Sequence, residues 1–85
     1  MITKDIVAGR IAAWLRHEIS LASLVDWAER AIHEGDVPEA DTEELMPILG
    51  RLGLADVKQF GLSWEDCEEL LGRLGYAVRV EITAA

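Results

Sequence analysis

Cysteine is nearly absent from this chain: Cys67 is its single copy in 85 residues, so no disulfide can close within it and CxxC metal motifs are excluded. Cys67 stands between Asp66 and Glu68, whose carboxylates disfavour a thiolate and make it a poor nucleophile. Positive charge is also scarce, with 8 Lys and Arg against 16 Asp and Glu and a formal charge of −8. Nucleic-acid affinity comes mainly from Lys and Arg displacing counterions, so nucleic acid is not an expected partner; anionic membrane surfaces are disfavoured for the same reason. Long apolar runs are missing. The pieces IVAG and IAAWL are split by Arg10 and bounded by Asp5 and Arg16, which fits neither a membrane span nor a signal core, and a soluble, cytosolic protein is expected.

Chemistry-bearing patterns are equally thin. His17 and His33 form no HxxxH pair and lie in no nucleophile motif, and the acidic run lacks the DxDxDG order of a calcium loop. Ser20 and Ser63 fit helix caps. The expectation is no metal, no cofactor and no catalysis.

Helical spacing is what the chain has in abundance, and its length suits a single small domain over residues 1–85. A first helix is predicted from residue 3 or 4 to residue 17, with Val7, Ile11, Trp14 and Leu15 on its apolar face. A second starts at Ser20 as N-cap, with Ile19 placed to staple onto Leu24. It carries Leu21, Leu24, Val25, Ala28, Ala31 and Ile32 inward and stops at Gly35. Asp26, Arg30 and His33 fall on its wet side. A third is predicted from an Asp41/Glu44 capping box, with a kink at Pro47 or a start there, because proline removes a hydrogen bond and clashes with the preceding turn. LADVKQF fits a short fourth helix closed by Gly61, and Ser63 caps the last one.

The pentapeptide LGRLG occurs at 49–53 and again at 71–75. Leu45, Ile48, Leu49 and Leu52 precede or span the first copy at the positions that Cys67, Leu70, Leu71 and Leu74 take around the second. Two units are too few for a solenoid. A GxxG tetrapeptide also clamps nucleic acid in KH domains, but over a positive groove between flanking strands, whereas each copy here brings one Arg in an acidic chain. Gly53 and Gly75 read as helix ends, with Arg51 and Arg73 in last turns where the helix dipole favours cations. Gly50 and Gly72 are interior, marking either fraying turns or close approach of another backbone.

The last stretch breaks the pattern. YAVRVEI, residues 76–82, alternates as a half-buried strand, with Tyr76, Val78, Val80 and Ile82 toward the helices and Ala77, Arg79, Glu81 and Thr83 outward. No second strand is legible for it. The expected fold is therefore mainly α, a small bundle of four to five short helices with one C-terminal β-strand that pairs with a second copy or a partner protein. Antiparallel pairing about a two-fold axis at Val80 sets Val78 opposite Ile82 and Arg79 opposite Glu81, whereas an axis at Arg79 opposes like charges.

The functional expectation is a non-catalytic protein-interaction module, self-associating as a homodimer through Tyr76, Val78, Arg79, Val80, Glu81 and Ile82. The alternative is an acidic inhibitor, of immunity or antitoxin type, that neutralises a protein with a basic surface. Its patch would be Asp36, Glu39, Asp41, Glu43 and Glu44, within a run that holds no Lys or Arg. Trp27 and Trp64 sit on the flanks of their helices as core seals or interface anchors, since tryptophan is enriched among interface hot spots.

Overall fold

The computed structural model describes residues 1–35, 37–79 and 82, and among these it is mainly helical. Its α-helices are α1 (Lys4–Leu15), α2 (Leu21–Glu34), α3 (Thr42–Gly53) and α4 (Trp64–Arg73), with a 3₁₀ turn over Glu39–Asp41 leading into α3. The apolar stripes meet in one core. Val7 and Ile11 of α1, Leu24 and Ala28 of α2, Leu45, Ile48, Leu49 and Leu52 of α3, and Cys67 of α4 are fully buried. Leu70, Leu71 and Leu74 complete the cluster, and Trp14, Leu15, Ile19 and Val78 pack partly buried against it. α2 lies chiefly on α3, and α1 touches both α2 and α4.

The starts of three helices follow from their caps. Thr3 Oγ accepts from the Ile6 N–H at 3.2 Å, and Ser20 Oγ accepts from the Ser23 N–H at 3.1 Å. Ser63 and Asp66 form a reciprocal capping box, with the Asp66 N–H on Ser63 Oγ at 3.1 Å and the Ser63 N–H on Asp66 Oδ2 at 2.9 Å. Those bonds from Ser63, reinforced by Arg51, hold the Asp66 carboxyl below its usual pKa. The box expected at Asp41 and Glu44 does not form. Asp41 makes no capping bond; the 3₁₀ turn starts the helix instead, Thr42 Oγ donates to the Pro38 carbonyl at 3.2 Å, and Glu44 reaches Lys4 of α1 at 2.8 Å. α3 runs through Pro47, which is exposed together with Glu43, so the carbonyl that loses its donor lies in a hydrated stretch.

Helix ends separate the two LGRLG copies. Gly75 has φ +93° and closes a Schellman motif, with the Tyr76 N–H on the Leu71 carbonyl at 2.9 Å and the Gly75 N–H on the Gly72 carbonyl at 3.1 Å. Gly53 is still helical, and the chain turns only at Leu54. The arginines diverge as well. Arg51 reaches across to the Gly61 carbonyl at 2.8 Å and to Asp66 at 2.9 Å, tying α3 to the cap of α4, whereas Arg73 pairs along its own helix with Glu69. At Gly50 and Gly72 an added Cβ would meet no atom within 4 Å, so no backbone of the described chain packs closely there.

α1 ends with the same six-to-one bond as α4, but the left-handed position is His17, at φ +63°. A side chain in this region costs roughly 1–2 kcal/mol, part of which glycine returns as unfolded-state entropy. His17→Gly is thus expected to raise stability by about 0.5–1 kcal/mol and Gly75→Ala to lower it by at least as much, read by urea unfolding.

Two further expectations need correction. LADVKQF is not a helix: Val57 and Phe60 N–H groups bond three residues back to Leu54 and Val57, a chain of turns too short for cooperative α-helix propagation. The C-terminal strand is also not formed among the described residues, where 76–79 carry neither helix nor ladder and no strand occurs. The reason is physical: a ladder needs a second run of free backbone, and elsewhere the described residues outside helices and turns come in stretches of three or fewer. Val78 does pack on the core, but Ile82, expected to face the helices, is 93 % exposed. Val80, Glu81 and Thr83 lie outside the described residues.

Candidate functional site

A groove of about 680 Å³ lies between α1, α4 and the segment 76–79. Its floor follows from helical spacing. Asp5, Ala8, Gly9, Ala12 and Arg16 recur along one side of α1, next to the stripe that enters the core, and three small side chains in a row leave space above the helix. Trp64 and Leu71 of α4 form the facing wall. The third wall exists because Gly75 turns the chain back after α4, bringing the Tyr76 hydroxyl to donate to Asp5 Oδ1 and laying Val78 and Arg79 along the rim. With its proton held by the Asp5 carboxylate, the Tyr76 hydroxyl ionises above its ordinary pKa.

The residues singled out in the sequence divide between two places. Tyr76, Val78, Arg79 and Trp64 converge on this groove, and Trp64 is 41 % exposed there. Trp27 goes elsewhere: it is partly buried, with the Arg10 guanidinium 5.3 Å from its ring centre. Cation–π contact of this kind seals an α1–α2 edge. Glu39 and Asp41 sit in the 3₁₀ turn, and Glu43 and Glu44 in the first turn of α3, with Glu44 engaged by Lys4; Asp36 lies outside the described residues. Asp5 and Arg16 were not singled out, although their eleven-residue spacing with Ala8 and Ala12 between them marks one helix face. Nothing in the sequence paired Tyr76 with Asp5, which are 71 residues apart.

Cys67 is fully buried, and burial, with the Asp66 carboxylate adding to it, pushes the thiol up to about 11. Iodoacetamide at pH 8 is expected to leave it untouched in the folded protein and to alkylate it once urea unfolds the chain, as read by mass spectrometry. Among the described residues no three His, Cys, Asp or Glu side chains gather as a metal-ligand set, and no helix is long and apolar enough to cross a membrane.

Comparison with protein-family models, with curated proteins and with solved structures returns no match.

Proposed function

We propose that this protein is a non-catalytic protein-interaction module that self-associates as a homodimer through residues 76–82. The supporting observation is an unused backbone edge. Among the described residues Ala77, Val78 and Arg79 make no backbone hydrogen bond, while Val78 rests on the core and holds the segment against the helices. Free N–H and C=O groups on a surface segment with alternating side chains are what an added strand pairs with. In the register centred on Val80, Val78 meets Ile82 of the second copy, which gives that exposed side chain an apolar neighbour.

A second reading rests on charge. Glu39 and Glu43 are exposed, have no cationic partner among the described residues, and stand at the start of α3, where a basic protein would find a fixed acidic cap. Such an inhibitor-type complex is steered by charge and screened by salt. Sedimentation velocity of the protein alone, at low and high salt, separates the two. The homodimer reading expects a dimer that persists in high salt. A monomer under both conditions would discard it and leave the acidic cap as the better-supported interface.

A further inference from the structure

We infer that the groove between α1, α4 and the segment 76–79 is a binding site for a small amphipathic monocarboxylate, its carboxylate held by Arg16 and Arg79 and its apolar part laid against Trp64, Leu71 and Val78. The distribution of cationic residues supports this. Lys4, Arg30, Arg51 and Arg73 are each paired with a carboxylate, and Arg10 lies over Trp27. Arg16, Lys58 and Arg79 have no acidic partner among the described residues. Two of these three line one groove, in a chain where acidic residues outnumber basic ones 16 to 8.

Guanidinium forks match a carboxylate in geometry and bind it more strongly than a neutral acceptor. Asp5, the carboxylate lining the groove, accepts the Tyr76 hydroxyl and offsets one positive charge. One surplus charge remains, which suits a monoanion better than a doubly charged phosphate. Volume agrees: about 680 Å³ falls within the ~300–1,000 Å³ usual for small-ligand sites, and aromatic and aliphatic walls with few polar groups are their common lining. At Gly9 an added Cβ would meet no atom within 4 Å, so the floor is open to an occupant. Every residue the inference uses belongs to one chain, and because the Val80-centred register sets Arg79 opposite Glu81 of a second copy, ligand binding and self-association compete for Arg79.

The test is a ¹⁵N NMR titration of the full chain with decanoate, with decanol and inorganic phosphate as controls. Decanoate is expected to shift the Trp64 indole and the Ala8, Ala12 and Val78 amides saturably, with decanol and phosphate much weaker. Arg16→Gln combined with Arg79→Gln is expected to weaken decanoate roughly tenfold or more, the scale of one lost charged hydrogen bond. Both side chains are exposed, so the double variant keeps its fold, and an unchanged spectrum outside the groove confirms that. Equal binding of decanol, unchanged affinity in the double variant, shifts centred away from the groove, or no saturable shift up to the solubility limit would each overturn the inference.

Discussion

Leu49→Ala is expected to remove much of the protein's stability. Leu49 is fully buried in α3, on the stripe that faces α2, and truncating a leucine at such a position costs about 2–5 kcal/mol through lost transfer energy and the cavity left behind. An 85-residue domain holds only about 4–13 kcal/mol in total. A fall in Tm on the order of 20 °C follows. Leu54→Ala, at the C-cap of α3 where the residue is 44 % exposed, is the matched control and is expected to change stability by about 0.5 kcal/mol or less. Urea and thermal unfolding followed by circular dichroism compare the two, and similar losses for both would contradict the packing described.

Ending the chain after Arg79 is expected to convert a dimer to a monomer without changing the helices. All four helices and the core cluster lie before that point, so helix content should be retained in full. What would be lost is the second half of the proposed ladder, and a shortened two-stranded ribbon is not stable in water. A full-length variant isolates the contact. Ile82→Lys places a charge on a side chain already 93 % exposed in the single chain, where it should cost the fold nothing. In the proposed dimer that charge would fall opposite Val78, and loss of an apolar cross-strand pair at two symmetric positions is expected to weaken association roughly tenfold. Sedimentation equilibrium reads both variants; a dimer unaffected by either would move the interface away from 76–82.

The helical part of the fold was legible because its signals are local. Leucine spacing placed Leu45, Ile48, Leu49 and Leu52 in the core, and the serine caps at 20 and 63 began helices where expected. Expectations failed where a distant partner competes with a local one. Glu44 carries the spacing of a capping box, yet Lys4, 40 residues earlier, takes its carboxylate in the folded chain. Identical pentapeptides diverged for the same reason: Arg51 finds Gly61 and Asp66 within reach, and Arg73, among the described residues, pairs with Glu69. The groove was half legible. Trp64, Tyr76, Val78 and Arg79 stood out as aromatic or alternating, but Asp5 and Arg16 join them only through the turn at Gly75, whose effect on direction no periodicity encodes.

The most direct test of the interaction reading is an isotope-filtered NOE experiment on a sample mixing labelled and unlabelled protein. The account predicts contacts between chains linking Val78 of one copy to Ile82 of the other, with Val80 close to Val80, and slowed amide exchange along 77–81. Absence of any contact between chains at concentrations where the protein sediments as a dimer, with those amides exchanging freely, would contradict it.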